Sequence, residues 1–355
     1  MMTDMLDYGL KQTMLPPQGS AGLENAIPAR VIAVHREQFE LVCANGRTAG
    51  RLKAAQYYVK GDVFPTTGDF VMIEYNPIGE SRIVKTLPRS SYFSRLDPSS
   101  AGHWEQAVAA NFDCVVIMQS LNHDFNPRRL ERYLTLAWQS GATPVVVLTK
   151  ADLVEDAGEL VRRAESVAAG VDVHAVSAKT GRGMEALAPY LQPKRTLVFL
   201  GSSGVGKSSL VNALAGEEIM SVNGIREDDS KGRHTTTYRQ LVLLKSGVMV
   251  IDTPGMRELG MWDVTEGLGG AFADVEEYFG SCKFRDCTHQ HEPGCAVRKA
   301  IERGELKEER WQNYLNLKKE AAFSGDKADA LRKKQLWQKD VAKHVKSLKK
   351  NGGVK

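Results

Sequence analysis

The amino-acid sequence predicts a multidomain fold: a small all-β barrel, a parallel α/β domain and a mostly helical C-terminal domain built around a cysteine cluster. Short β-rich runs separated by turn residues come first, as in small barrels. Near-continuous apolar strands then alternate with helical stretches, which is typical of a parallel sheet covered on both faces. Three of the five cysteines lie between Cys282 and Cys295, ahead of a helical, basic C-terminus.

The chain of 355 residues is too long for one typical domain, and its pattern changes along its length. Residues 1–26 are rich in Pro, Gly and Met without a clear period, which predicts a flexible extension. Residues 27–90 contain the runs ARVIAVH, FELVCA, DFVMIEY and SRIVKTL and predict an OB-like barrel, although the strands alone leave an SH3-like barrel open. We expect the α/β domain over 91–265, the cysteine-rich domain over 266–325 and a basic tail over 326–355.

The bulk composition is that of an ordinary globular protein, with 42% hydrophobic and 25% charged residues. No apolar run approaches the roughly 18 residues of a membrane span, and the first twenty residues lack the basic start and apolar core of a secretory signal. An odd number of clustered cysteines favours metal binding in a reducing compartment over disulfides. We therefore expect a cytoplasmic protein, monomeric and without a membrane partner.

The charge is unevenly distributed along the chain. The net charge is +4, but Lys327 to Lys355 carry ten Lys/Arg and two Asp, which leaves the remainder slightly acidic. Such a basic tail is typical of a chain with a polyanionic partner, either a nucleic acid or an anionic membrane. A solvated helix end is the alternative interpretation of the same charges.

The strand RTLVFL leads into a glycine-rich loop that opens a helix. The loop and the first turn of that helix consist of Gly201, Ser202, Ser203, Gly204, Val205, Gly206, Lys207, Ser208 and Ser209. This is the P-loop pattern in the setting that it requires, because the backbone N–H groups and the helix dipole attract phosphates. We expect Lys207 to reach the β- and γ-phosphates and the Ser208 hydroxyl to ligate Mg²⁺.

Three further motifs follow apolar strands and favour GTP over other nucleotides. Asp252-Thr-Pro-Gly255 comes after GVMVI, where an acidic group that anchors the metal and a glycine amide near the γ-phosphate belong. Thr149-Lys150-Ala-Asp152 comes after VVVL, and the Asp152 carboxylate can accept from guanine N1 and N2, which adenine cannot offer.

The third motif is Ser177-Ala178-Lys179, one strand–helix unit after Asp152. It resembles the short loop whose backbone amide, here that of Ala178, reads guanine O6. In the Thr149-Lys150-Ala-Asp152 motif, Thr149 stands where Asn is commoner. We expect the aliphatic part of the Lys150 side chain to pack on the base.

The order of these motifs is permuted. GTPases ordinarily run from the P-loop through the switch threonine and DxxG to the base-recognition motifs, whereas here the motifs at 149 and 177 precede the P-loop at 201. Each motif still ends a parallel strand, so one sheet edge can carry them all. The sequence therefore predicts a circularly permuted α/β P-loop GTPase domain.

The segment Gly-Arg-His234-Thr235-Thr236-Thr between the P-loop and Asp252 is expected to form a switch loop. We favour Thr236 as its magnesium ligand, with Thr235 as the alternative. Met256 stands where GTPases of the Ras type place the water-orienting Gln, so intrinsic hydrolysis should be slow. His234 is our candidate for activating water, beside Lys207 and Thr236 in the expected catalytic set.

The cysteine cluster reads Cys282-x4-Cys287-x-His289-x5-Cys295. Three thiolates and one imidazole are a tetrahedral structural zinc set without an open position, so we expect one structural Zn²⁺. His291 could replace His289 as the fourth ligand.

Together, the barrel, the permuted series TKAD–SAK–GSSGVGKS–GRHTTT–DTPG and the cysteine–histidine finger resemble the RsgA (YjeQ) family of ribosome small-subunit-dependent GTPases over residues 28 to 325. The resemblance implies GTP and GDP as substrate and product, an oligonucleotide-binding barrel, and a role in late maturation of the small ribosomal subunit, with that subunit and its rRNA as partner and activator. A GTPase with a non-ribosomal partner, or a binding switch without turnover, remains the alternative. Within the barrel, Arg47, Arg51 and Lys53 are candidate RNA contacts, or else solvated surface residues.

Overall fold

The computed structural model describes most of the chain in two compact units. The described residues are 3–17, 19–35, 38–53, 57, 63–96, 105–122, 125–220, 239–252 and 265–322. One unit comprises Met1–Ser94 and Ala107–Leu259, and the other comprises Arg95–Gln106 and Gly260–Lys355. The barrel and the α/β sheet thus belong to the same unit, while the predicted domain boundaries stay predictions.

Five strands close the predicted barrel. They are β1 (Ala26–His35), β2 (Gln38–Cys43), β3 (Gly46–Leu52), β4 (Phe70–Glu74) and β5 (Ser81–Thr86). Around the barrel they pair in the order β1-β2-β3-β5-β4-β1, with β3 parallel to β5 and every other pair antiparallel. This is the closed Greek-key arrangement of an OB-fold. Alternate side chains such as Val31, Leu41 and Ile83 are buried inside it because successive residues of a strand face opposite sides.

The α/β part has the strand order of a permuted GTPase. Strands β6 (Tyr92–Leu96) and β7 (Glu105–Ala110) form a separate two-stranded sheet. After them come β8 (Cys114–Ser120), β9 (Thr143–Thr149), β10 (Val173–Ala175), β11 (Thr196–Gly201), β12 (Gln240–Leu243) and β13 (Met249–Asp252). The sheet order is β10-β9-β8-β11-β13-β12, and only β12 runs antiparallel to its neighbours. The predicted parallel sheet is therefore present, with every expected apolar run in it.

Three helices connect these strands. They are α1 (Pro127–Gln139), α2 (Gly158–Glu165) and α3 (Lys207–Ala215). Helix α1 begins where the Asn126 side chain accepts from the Arg129 N–H at 3.2 Å and Pro127 fills the first helical position. It then buries an apolar stripe against β8 and β9, of which Leu130 and Leu134 are part.

The barrel and the α/β sheet share backbone hydrogen bonding. Strand β1 pairs with β12 antiparallel, with Ala33 opposite Gln240, so that one sheet of eleven strands runs through both. Beside this pairing, the Thr67 hydroxyl donates to the Arg239 carbonyl at 3.2 Å. The first described residues after the predicted switch segment are therefore held by the barrel.

Arg30 occupies the centre of this junction and is 1% exposed. Its guanidinium donates to the carbonyl oxygens of Gly68 (3.2 Å), Asn111 (2.8 Å) and Tyr8 and to Thr196 Oγ1 (3.0 Å), and it lies 4.7 Å from the centroid of the Phe70 ring. Burial lowers the pKa of Arg30 to about 10, which still leaves it charged at neutral pH. One cation thus ties the N-terminal segment, the barrel and β11 together.

The N-terminal segment packs on the barrel, where the sequence analysis expected a flexible extension. Met5 and Leu10 are buried against Phe70 and Leu87 on the outside of the barrel. These apolar residues follow neither a helical nor a strand period because residues 3–17 form turns and a single 3-10 helix, Gln12–Met14. Apolar burial, rather than regular structure, orders the described part of this segment.

The second unit is mostly helical, as predicted. Its described residues contain α4 (Thr265–Ala271), α5 (Ala273–Glu276), α6 (Ala296–Glu302) and a further helix, α7, over 308–322. Arg310 of α7 donates to both carboxylate oxygens of Asp274, at 3.1 and 2.7 Å, and stacks 4.1 Å from the Phe272 ring centroid. Within the described residues, no helix combines the length and apolar character needed to cross a membrane.

Candidate nucleotide-binding site and metal centre

The predicted nucleotide motifs meet at one edge of the parallel sheet. Strand β9 ends at Thr149, β10 ends two residues before Ser177, β11 ends at Gly201 and β13 ends at Asp252. These strands run parallel in the order β10-β9-β8-β11-β13, so their carboxyl ends lie at the same edge of the sheet, where open α/β sheets bind their ligands.

The glycine-rich loop has the backbone that a P-loop needs. Gly204 and Gly206 have φ of 73° and 100°, a region that other residues rarely adopt, and α3 begins directly afterwards at Lys207. A Cβ on Gly201 would lie 3.0 Å from the Met118 carbonyl oxygen, so there is little room for a larger residue where the loop leaves β11. Val205 turns inward and is buried in the core of the sheet. This shape leaves the loop amides and the N-terminus of α3 available to phosphate oxygens.

Lys207 and Asp252 lie at the same point of the sheet edge. The Lys207 Nζ is 2.5 Å from Asp252 Oδ1. The P-loop lysine and the acidic residue predicted to anchor the metal are thereby brought together from segments 45 residues apart in sequence. A cation and a carboxylate thus lie side by side at the sheet edge, directly after the glycine-rich loop and at the end of β13.

Thr149 connects the base-recognition motif to the P-loop. Its hydroxyl donates to the Val205 carbonyl at 2.5 Å, and Thr149 itself is 5% exposed. The sequence analysis noted only that threonine departs from the commoner asparagine at this position. In the structure, the threonine hydroxyl provides a hydrogen bond between the two loops.

Asp152 is held by the loop that follows β10. The buried Ser177 donates from Oγ to Asp152 Oδ1 at 2.6 Å, and Ser177 Oγ accepts from the Thr180 N–H at 3.2 Å. The Ser177 hydrogen bond is the main reason that the pKa of Asp152 is lowered; desolvation opposes it, and the Asp152 N–H and then Lys179 and Lys150 make smaller contributions in the same direction as Ser177. Asp152 is thus kept ionised and oriented, as an acceptor for two guanine N–H groups must be.

The described residues on either side of the predicted switch segment are tightly held. The Asn212 side chain of α3 accepts from the N–H groups of Ile219 and Met220, at 3.0 and 2.8 Å, and donates to the Met220 carbonyl. Sequence reasoning did not identify Asn212, because nothing in its local pattern distinguishes it from any polar helix residue. The residues predicted to act in the switches lie outside the described residues; they are His234, Thr235, Thr236, Gly255 and Met256.

Three cysteines and one histidine converge in the second unit. The ligand atoms of Cys282, Cys287, His289 and Cys295 all lie within 4.8 Å of one another. Cys282 Sγ is 3.4 Å from His289 Nδ1 and 4.0 Å from Cys295 Sγ. A tetrahedral zinc with bonds of about 2.0–2.3 Å separates its ligand atoms by about 3.5–3.8 Å, so these four residues fit one ion. His289, and not His291, is the histidine in this group.

The cluster is shaped for a cation. Desolvation opposes ionisation of Cys282, but the Ala296 N–H and the thiols of Cys287 and Cys295 lower its pKa. Desolvation and the thiols of Cys282 and Cys295 raise the pKa of Cys287 to about 12. Three thiols at this distance cannot all ionise unless a positive charge lies among them. Desolvation also lowers the pKa of His289, whose ring stacks on Phe279 with centroids 4.4 Å apart, and a neutral imidazole is the form that binds metal.

Glu292 organises the loop around His289 and was not identified from the sequence. Its carboxylate accepts from the Thr288 N–H (2.9 Å), the Gln290 N–H (3.0 Å) and the His291 N–H (3.1 Å). The pKa of Glu292 is lowered to about 2, chiefly by a hydrogen bond from the Thr288 hydroxyl and then by the Thr288 N–H, with smaller contributions from the N–H groups of Glu292 itself and His291. In the sequence, the role of Glu292 is indicated only by the presence of an acidic residue within the cysteine–histidine loop.

The barrel residues named as RNA candidates differ in their surroundings. Arg51 forms an ion pair with Glu80 at 2.6 Å, and Lys53 forms one with Glu74 at 2.8 Å. Arg47 is exposed on β3. Surface ion pairs are weak enough for a polyanion to displace, so this geometry leaves all three available as contacts without selecting any of them.

Comparison with known proteins agrees with this geometry. Residues 86–262 match the family model described as RsgA GTPase. A Listeria monocytogenes protein named small ribosomal subunit biogenesis GTPase RsgA 1 is 47% identical over 328 residues, which cover 90% of this chain and 93% of that protein. A Methanosarcina acetivorans protein named small ribosomal subunit biogenesis GTPase RsgA is 46% identical over 266 residues, which cover 75% of this chain and 72% of that protein.

Two solved structures have the same arrangement. YjeQ from Thermotoga maritima superposes with a TM-score of 0.62 at 27% identity, and the match covers 82% of this chain and 97% of the YjeQ chain. YloQ, described as a circularly permuted GTPase, has a TM-score of 0.59 at 26% identity, and the match covers 83% of this chain and 95% of the YloQ chain. The permuted order of the motifs, the sheet that joins them and these likenesses lead to one conclusion: this chain is a circularly permuted GTPase and belongs to the RsgA GTPase family.

Proposed function

We propose that this protein hydrolyses GTP during late maturation of the small ribosomal subunit, that this subunit stimulates its activity, and that the nucleotide state controls binding and release. The observation that carries the chemistry is the convergence of Asp152, Lys207 and Asp252 at one sheet edge. The ribosomal part is supported by relatives named small ribosomal subunit biogenesis GTPases at 46–47% identity.

The nucleotide contacts follow from the motifs. Asp152, supported by Ser177, accepts from guanine, while Lys150 packs on the base and the Ala178 amide reads O6. The loop amides and Lys207 hold the phosphates. Mg²⁺, when bound, supplies charge neutralisation between the β- and γ-phosphates, and Ser208 with Asp252 would hold it there.

Hydrolysis needs groups from the switch segments. Thr236 would complete the magnesium ligands, the Gly255 amide would meet the γ-phosphate, and His234 would orient the attacking water in place of the glutamine that Met256 replaces. With methionine at that position, the isolated enzyme should be slow, and a partner that orders the switches should accelerate it.

The cysteine–histidine cluster is proposed to hold one structural Zn²⁺. Cys282, Cys287, His289 and Cys295 supply four ligand atoms, which leaves no position open for substrate. The loop between the first and the last ligand is short and lacks a large core, so metal binding would supply much of its folding energy.

The partner is a polyanion. The basic segment 327–355 and the OB-like barrel both suit rRNA, since OB barrels bind oligonucleotides and clustered Lys and Arg bind phosphates. A protein that acts on ribosomal subunits and has free thiols at all its described cysteines is expected to work in the cytoplasm.

The test is GTP turnover by purified protein alone, with small subunits and with large subunits. We expect strong stimulation by small subunits alone, with Lys207→Ala as the inactive control. Equal turnover under all three conditions would refute the ribosomal assignment while leaving the GTPase intact, and would point to a non-ribosomal activator.

A further inference from the structure

The four residues between the first two candidate zinc ligands form an exposed tip. Residues 283–286 are all exposed, whereas Cys282 and Cys287, which bracket them, turn inward to the cluster. The Lys283 N–H donates to the Gly294 carbonyl at 3.1 Å, which fixes the base of the tip to the other end of the loop. The tip is therefore short and anchored at both ends.

The tip presents an aromatic ring between two cations. Phe284 is 42% exposed, which makes it one of the few large apolar side chains on the described surface. The Lys283 Nζ lies 5.5 Å from the centroid of the Phe284 ring, and Arg285 follows directly. Asp286 carries a negative charge beside them, and Arg298 of α6 is tied to the same loop by its bond to the Gln290 carbonyl at 3.1 Å. The local surface is thus positive around a ring.

We propose that the tip binds single-stranded RNA by stacking Phe284 on an unpaired base, while Lys283 and Arg285 contact the flanking phosphates. This inference rests on the proposed function, because rRNA is its natural target. An exposed aromatic ring next to cations is the combination with which proteins bind unpaired nucleotides. A protein partner would instead favour an apolar surround, since the cores of protein interfaces are depleted in charge.

The anchoring of the tip favours binding. A ring held on a loop that is fixed at Cys282, Cys287 and Gly294 loses little conformational entropy when it stacks. Stacking on a protein ring tolerates any base, so we expect affinity for RNA without strong sequence preference.

The experiment measures binding of the full-length, zinc-loaded chain to a fluorescein-labelled oligouridylate of about twelve nucleotides, by fluorescence anisotropy. Phe284→Ala should weaken binding by about 5- to 160-fold, the value of one base–aromatic stack. Phe284→Tyr should bind like the wild type, and Phe284→Leu should bind like the alanine variant. Leu243→Ala, which removes a 39% exposed apolar side chain from β12 and not from the barrel, is the matched control and should change nothing.

Lys283 and Arg285 are tested by the salt dependence of RNA binding. Lys283→Ala with Arg285→Ala should lower the slope of log affinity against log salt by about 1.4, that is, about 0.7 for each phosphate that the protein no longer neutralises. Zinc content near one ion per chain in every variant shows that the loop is intact.

Several results would overturn the proposal. Phe284→Ala with wild-type affinity would exclude stacking, and Phe284→Leu with wild-type affinity would indicate a generic apolar contact, such as one with a protein. Stimulation of wild-type GTP turnover by small subunits tests the proposed function separately. If small subunits stimulate turnover while every tip variant binds RNA with wild-type affinity, only the tip assignment fails. If stimulation is absent, the proposed function fails whatever the oligonucleotide result.

Discussion

The hydrogen bond from Thr149 to the P-loop can be removed without changing the size of the side chain. Thr149→Val exchanges the hydroxyl for a methyl group of similar volume, so no cavity forms around a residue that is 5% exposed. The bond that is removed runs to the Val205 carbonyl at 2.5 Å. The second acceptor within reach, the Gln119 carbonyl at 3.4 Å, is too distant to count as a second full bond.

The expected cost follows from leaving a buried carbonyl without its partner. A buried acceptor deprived of its donor costs about 1–3 kcal/mol, and Val205 is buried among the apolar residues of the sheet. We therefore expect Thr149→Val to lower the free energy of unfolding by about 2 kcal/mol. Because Val205 lies between the two glycines that shape the loop, the affinity for GDP should fall as well, in proportion to the fraction of molecules whose loop is no longer correctly shaped.

The assay combines urea unfolding with the binding of a fluorescent GDP analogue. Thr149→Ser is the control, because it keeps the hydroxyl and loses only the methyl group, and its GDP affinity should stay near that of the wild type. If Thr149→Val unfolds at the same urea concentration and binds GDP as tightly as Thr149→Ser does, the hydrogen bond has no part in shaping the site.

Three other predictions concern the junction, the base site and the metal centre. Arg30→Met removes the guanidinium donor from four oxygen acceptors and should cost about 3–5 kcal/mol in urea unfolding, with Arg30→Lys intermediate. A loss below about 1 kcal/mol would contradict the role of Arg30. Ser177→Ala removes the bond that lowers the pKa of Asp152. Since a lowered pKa keeps a carboxylate ionised to lower pH, the variant should lose GDP affinity at a higher pH than the wild type as pH falls toward about 4, and coincident pH profiles would exclude this mechanism. Cys287→Ala should lose zinc, measured by atomic emission, and unfold the loop around the cluster while GDP affinity stays unchanged; a retained ion would show that the ligand set is wrong.

The sequence was informative wherever the chemistry is local. A P-loop needs its glycines, lysine and serine within eight residues, and a zinc site needs its ligands within fourteen, so these patterns survive in the linear sequence. The apolar strands of the sheet were equally clear, because strands buried on both faces are apolar throughout. Strand β3 (Gly46–Leu52) was harder to recognise, since its residues GRTAGRL form no apolar run.

Features that depend on distant residues could not be predicted. Arg30 is an arginine in an apolar strand, and only the fold shows that its four oxygen acceptors come from separate parts of the chain. Glu292 is important because three backbone N–H groups turn toward it, which no residue pattern encodes. The burial of Met5 and Leu10 likewise depends on a barrel surface that is formed later in the chain.

The shared strand β1 also determines the order in which the molecule can assemble. Every pair that closes the barrel lies within residues 26–86, so the barrel can form soon after this segment is synthesised. The pairing of Ala33 with Gln240 spans roughly two hundred residues, and contacts of such separation form slowly. Until β12 has been translated, the end of β1 therefore remains an open strand edge, the kind that can pair with a wrong partner. Joining the barrel to the GTPase sheet thus ties completion of the fold to late synthesis of β12, which follows the predicted switch segment.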